Sequence, residues 1–163
     1  MRWDGMARLA DINPRVIEAL YTETLVLADA ARARFEDLRN AIRPAPGKAD
    51  SADDVELSCE ALRTTTRVMH CLAWLLNHRA WFAGQISTVQ LRRHGRLITH
   101  FPASDATIVR RLPPDLADLV EQSERLYARI QRLDAAWRES GTSRNGAIER
   151  LRNRLAEAAV RQA

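Results

Sequence analysis

Residues 55–83, VELSCEALRTTTRVMHCLAWLLNHRAWFA, decide how the chain is to be read. Val55, Cys59, Leu62, Thr66, Met69, Ala73, Leu76, Ala80 and Ala83 follow one another at alternating steps of four and three. That spacing keeps one seam of a helix turned toward a neighbour. No Pro or Gly interrupts it before Gly84. Leu57, Val68, Leu72 and Leu75 widen the apolar arc sideways, so the helix is expected to lie wedged between two others. The remaining strip carries Glu56, Glu60, Arg63, Arg67, His70, Trp74, His78 and Trp81. Two tryptophans seven residues apart are foreign to a merely solvated face. They either pack beneath another segment of the chain or form a partner surface, and a two-fold interface through this strip is the expectation for a homodimer.

Outward from this stretch the chain reads as all-α, an elongated three-helix bundle followed by a basic amphipathic tail. Asn13-Pro14 opens a first helix over 14–43, with Asn as cap and Pro at the first helical position. Its seam is Ile17, Tyr21, Thr24, Ala28, Ala31, Phe35, Leu38 and Ile42, and Pro44-Ala45-Pro46-Gly47 ends it. Ser51 and Asp54 resemble a capping box at the start of the middle helix, expected over 52–86, with Asp in place of the usual Glu. Residues 92–107 have no clear period and read as an irregular connection that carries Phe101 onto the bundle. Pro113-Pro114-Asp115 begins a third helix, expected over 113–139, with Leu116, Leu119, Ser123, Leu126, Ile130, Leu133 and Trp137 as its seam and Gly141 as its stop. The bundle domain thus spans 1–141, with residues 1–12 a leader pinned by Trp3, Met6 and Leu9. In the tail, 142–163, Ile148, Leu151 and Leu155 share a face, and Arg150, Arg152 and Arg154 are expected to meet an acidic partner.

Composition narrows the classes. The chain has 163 residues, six glycines, six prolines and a net charge of +4. Lys48 is its one lysine among 25 basic residues. Such an arginine bias carries little functional weight, and no long block of like charge suggests nucleic-acid binding. The apolar run 72–82 is broken by Asn77, His78 and Arg79, which excludes an ordinary membrane span. The N-terminus carries no export signal, so a cytoplasmic protein is expected. Cys59 and Cys71 lie twelve residues apart on one helix, about 18 Å, too far to bridge. Both read as buried small apolar residues. His70 and His78 stand about 12 Å apart and cannot share a metal. No phosphate loop or hydrolase motif occurs. Neither a catalytic set nor a cofactor or metal site is expected, and the Glu60–Arg63 neighbourhood reads as an intrahelical ion-pair ladder.

One set of residues carries a family resemblance. Glu60-x-x-Arg63-x-Thr65-Thr66-Arg67-x-Met69, then Trp74-Leu75-Leu76-x-x-Arg79-Ala80 and Gly84, resembles the central motif of the RcdA family, the alphaproteobacterial regulators of CtrA degradation. A second block, Leu112-Pro113, Ser123, Leu126, Arg129, Arg132, Leu133 and Asp134, fits in the same order. Together they span a third of the chain. The resemblance implies a cytoplasmic, dimeric three-helix bundle without catalytic activity. It further implies an adaptor that helps the ClpXP protease destroy a CtrA-like substrate, alongside a CpdR-like response regulator and a PopA-like receptor. The flexible tail important in that family differs here, and so does the 92–107 connection. The alternative reading is a nucleic-acid-associated helical regulator, motivated by a pI near 9.8 and the basic tail.

Overall fold

The computed structural model describes residues 12–42 and 51–161, with side chains as far as Glu139. The expectations for Trp3, Met6 and Leu9, for the loop 43–50, and for the side chains of Ile148, Arg150, Leu151, Arg152, Arg154 and Leu155 lie outside those described. The described chain is all-α: α1 (Pro14–Ile42), α2 (Ala52–Phe82), α3 (Thr88–His94), α4 (Ala106–Val109) and α5 (Pro114–Arg161).

The helix ends form where local chemistry supplies partners. The Asn13 side chain accepts from Arg15 N at 2.9 Å, satisfying one free donor at the start of α1. At α2 the capping box is complete: Asp54 N donates to Ser51 Oγ at 3.2 Å, and Ser51 N to Asp54 Oδ2 at 2.9 Å. Gly84, at φ +70°, takes the left-handed conformation that turns the chain out of α2. α2 ends at Phe82, short of the expected residue 86. Ser87 and Gln90 form a second capping box and start α3 afresh.

α1 runs antiparallel to α2, with Arg79 Nε 2.7 Å from Glu18 Oε1 near one end. α5 lies antiparallel to α1, tied by Arg34 to Asp115 and Arg129 to Glu23. It runs parallel to α2, which forces residues 83–113 to return the length of the bundle. This connection descends along α2 and α5. Trp81 Nε1 donates to Thr88 Oγ1, Arg92 lies over the Trp137 ring, Gln131 reaches Thr99 O, and Arg111 pairs with Asp53 and Glu56. Phe101 packs on His70 and Tyr127, so the connection carries it onto the bundle as expected.

The core positions agree with the sequence on α5 and on α1 except at Ile42, which is 40 % exposed, and depart from it on α2. Ile17, Thr24, Ala31 and Phe35 are buried as read, joined by Leu20 and Leu27. On α5 Leu116, Ser123, Leu126, Ile130 and Trp137 are buried. On α2 the buried residues are Glu60, Thr64, Arg67, Cys71, Trp74 and His78, with Val68, Leu72 and Leu75 beside them. These six also step by four and three, but from a start five residues later than Val55. Five residues turn a helix by about 140°, so the inward face is nearly opposite the expected seam. Val55, Leu62, Met69 and Leu76 are 52, 68, 56 and 47 % exposed, and Cys59 is exposed while Cys71 is buried. The expectation that Met69 and Leu76 are core residues is therefore corrected; Leu126 is one.

α5 differs from its expected extent as well. It continues through Gly141 and Gly146 to Arg161, so neither glycine ends the helix and the tail backbone is not a separate element. A glycine costs a helix interior about 1 kcal/mol, which neighbouring good formers can offset.

Candidate functional site

Two faces of α2 bear on function, and each turns out to have the other's expected environment. The strip read as a partner surface faces α5 and the returning connection. Arg67 is 2 % exposed, with its guanidinium shared among three segments. It donates to Ser123 Oγ at 2.7 Å, to Ser104 Oγ at 3.0 Å and to Pro102 O at 3.3 Å, and pairs with Glu124 at 3.4 Å. Ser104 N also donates to Glu124 Oε1 at 2.8 Å, so the loop 102–104 is clamped to α5. Burial lowers the Arg67 pKa from the usual arginine value, and Glu124 and Glu60 oppose that shift. Glu60, fully buried, accepts from Arg63 at 2.5 Å and from Thr64.

Two turns on, Trp74 Nε1 donates to Asp134 Oδ1 at 3.0 Å, and Arg138 holds the other oxygen of that carboxylate. His78 lies against the Trp74 ring at 3.7 Å between centroids and meets Trp137 edge-on at 5.6 Å. Its Nδ1 is 2.9 Å from Trp74 O. A carbonyl can only accept, so Nδ1 carries the proton and Nε2 is the bare nitrogen. Nε2 is buried and has no hydrogen-bond partner among the described residues. Desolvation accordingly lowers the His78 pKa, against a raising influence from the Trp74 carbonyl and Asp134.

Of the predicted strip, the fold thus gathers Glu60, Arg67, Trp74 and His78 inside the protomer, which removes them as a contact surface. Arg63, His70 and Trp81 are half-buried at its margin, and Glu56 is exposed and paired with Arg111. The tryptophans pack against other segments of the chain, Trp74 bonding to Asp134 on α5 and Trp81 meeting Thr88 on α3 and the Trp137 ring on α5. The signal in the sequence was the pair of tryptophans themselves. The groups that bind Arg67 and Trp74 lie far off in sequence: Ser104 and Ser123 are 37 and 56 residues from Arg67, and Asp134 is 60 from Trp74.

The opposite face of α2 was missed as a site because it was taken for core. Val55, Cys59, Leu62, Met69, Ala73 and Leu76 form an exposed stripe along most of the helix. Alongside, α1 and α2 enclose an open groove of about 670 Å³. Phe35, Leu57, Ala61 and Leu62 contribute its apolar lining, and Arg32, Glu36, Arg39 and Asp54 its charged groups. Leu25, itself 40 % exposed, precedes Arg32 by seven residues and lies on the same face of α1.

Among the described residues no group of three or more His, Cys, Asp or Glu could hold a metal ion. None of their helices is long and apolar enough to cross a membrane.

A family model described as "Protein of unknown function (DUF1465)" matches residues 9–159, nearly the whole chain. The chain belongs to the DUF1465 family. No curated protein and no solved structure matches it. The matched residues take in α1 to α4 and all but the last two residues of α5, the clamp at Arg67 and the stripe on α2 included.

Proposed function

We propose that the protein is a cytoplasmic, non-enzymatic adaptor that acts as a homodimer in regulated proteolysis. In this reading it helps deliver CtrA-like substrates to ClpXP, together with a CpdR-like response regulator and a PopA-like receptor. The observation that carries it is the exposed stripe Val55, Leu62, Met69 and Leu76 on α2. A row of large apolar side chains at heptad spacing on a helix surface is the pattern that pairs with another helix. Its stepping by seven gives a continuous seam, which suits a second copy related by a two-fold axis, because each copy presents the same row. The resemblance of residues 60–84 and 112–134 to the RcdA family supports the proteolytic role, and the burial of Arg67 and Trp74 gives those motif positions a structural reason.

The dimer interface therefore moves from the tryptophan strip to the stripe. The test is light scattering of the full chain and of a Leu62→Asp, Met69→Asp, Leu76→Asp variant. The natural chain should scatter as twice 18.5 kDa and the variant as a folded species of 18.5 kDa. A monomeric natural chain would overturn the interface. Reconstituted degradation of a CtrA-like substrate by ClpXP should proceed with the natural chain and stall without it. Degradation indifferent to its presence would overturn the adaptor role while leaving the dimer intact.

A further inference from the structure

Between Ala61 and Ser104 the chain has no Asp or Glu, and six of those residues are Arg. Arg63, Arg67 and Arg79 are paired with Glu60, Glu124 and Glu18. Arg92 is half-buried over the ring of Trp137. Arg93 and Arg96 are left exposed on and just after α3, with His94 between them. The structure gives the side chains of these three no hydrogen bond or ion pair with any described residue. Three large apolar side chains accompany them: Phe82, Val89 and Ile98 are 38, 74 and 47 % exposed.

The backbone beneath is well held. The Ser87–Gln90 capping box starts α3, the bond from Trp81 Nε1 to Thr88 Oγ1 ties its first turn to α2, and Leu91 and Leu97 are anchored in the core. Val89 and Arg93 are four apart and share one side of α3, and Arg96 and Ile98 flank buried Leu97 on the segment that follows. Arg93 and Arg96 thus stand between the apolar Val89 and Ile98 on a short, ordered surface. Such a grouping is complementary to a peptide that combines carboxylates with large apolar side chains. A phosphate backbone would engage the two guanidinium groups and leave Val89 and Ile98 without use, and it is normally met by more cations than this.

We propose that α3 and the turns on either side of it form a docking surface for an acidic peptide segment of a partner protein, one bearing Leu or Phe beside its carboxylates. This surface lies beyond Gly84, apart from the stripe on α2, and does not depend on the role in proteolysis. The test is fluorescence anisotropy on the full chain with a short fluorescein-labelled peptide built of Glu, Asp, Leu and Phe. The peptide should bind saturably and lose affinity as salt is raised. Arg93→Glu with Arg96→Glu should weaken it on the order of tenfold or more, because attraction becomes repulsion. Val89→Ser with Ile98→Ser should weaken it too, and Leu62→Asp, Met69→Asp, Leu76→Asp should not. All four substituted positions on this surface are exposed, and an unchanged circular-dichroism melt confirms that these variants fold. The proposal is overturned by absence of binding, by equal binding to the Arg93/Arg96 variant, or by equal binding of a peptide with Gln and Asn for the acids. Tighter binding of a short single-stranded oligonucleotide overturns it as well and assigns the surface to nucleic acid.

Discussion

Arg67 and His78 show how single side chains set the character of this protein. Arg67 holds Ser123, Ser104, Pro102 and Glu124 at once, so its removal loses several hydrogen bonds from a charged donor, although Ser123 keeps Val120 O and Glu124 keeps Ser104 N. Arg67→Ala should cost about 1.5–3 kcal/mol in chemical denaturation, the range for hydrogen bonds to a charged group. Trp74→Phe keeps most of the apolar contact but strips Asp134 of a donor, and should cost about 1–3 kcal/mol. His78 makes stability depend on pH. Its folded pKa is lowered below 6.5, so in mildly acid solution the unfolded chain binds a proton that the folded chain refuses. Its contribution is present above the unfolded value and is lost as pH falls through that value toward the folded one. Arg92 and Arg138, over and beside the same aromatic cluster, do nothing to stabilise an imidazolium, whereas Asp134 does. Denaturation midpoints measured at about pH 7.5 and about pH 5.5 should fall on acidification, and His78→Phe should flatten that fall. The two cysteines should separate as well. Burial pushes the Cys71 thiol up to about 12, so it should resist alkylation in the native protein.

At the scale of an element, α2 has two apolar stories and only one is told within the protomer. Leu126→Ala on α5 should cost about 2–5 kcal/mol, as for any well-packed core leucine. Met69→Ala and Leu76→Ala, on the exposed stripe, should cost the single chain far less, and their effect should appear in the dissociation constant of the proposed dimer. Comparing denaturation at high and low protein concentration separates the two effects, because only the dimer term depends on concentration. α3 depends on a close approach at its end. A Cβ on Gly95 would stand 2.5 Å from Leu91 Cδ1 and 2.7 Å from Leu91 O, so Gly95→Ala should push Leu91 out of the core. A melting temperature lowered by several degrees is the expected result.

For the whole molecule, the returning connection 83–113 is what makes three long helices one object. Because α2 and α5 are parallel, this segment must retrace the bundle, and in doing so it covers the polar face of α2. The uncovered surface is then the opposite face, the stripe beside the α1–α2 groove, and the basic, apolar-studded end at α3. α5 continues beyond Asp134 and Trp137, which contact α2, to Arg161. In the proposed role, deleting 142–163 should leave the melting temperature within a few degrees and impair partner delivery. An unfolded truncation would show that the extension belongs to the bundle, and full delivery activity would leave the role to the two surfaces named above.

Periodicity and punctuation by themselves determined the three long helices, the starts of α1 and α2 at Pro14 and Ala52 and that of α5 to within a residue, the capping box at Ser51, and most of the core faces of α1 and α5. These features depend on local chemistry: proline geometry, short side chains that bond nearby backbone, and apolar residues recurring at helical spacing. The same logic failed on α2 because both of its faces have that spacing, and hydrophobicity alone favoured the wrong one. Only tertiary structure decided which face turned inward. Arg67, Trp74 and Glu60 go inside because Ser104, Ser123, Glu124, Asp134 and Arg63 supply hydrogen bonds and countercharge there, and those partners mostly lie far away in sequence. The leucines and Met69 opposite need no such partners and can wait at the surface for another helix, since apolar burial is non-directional and can be completed by a second chain.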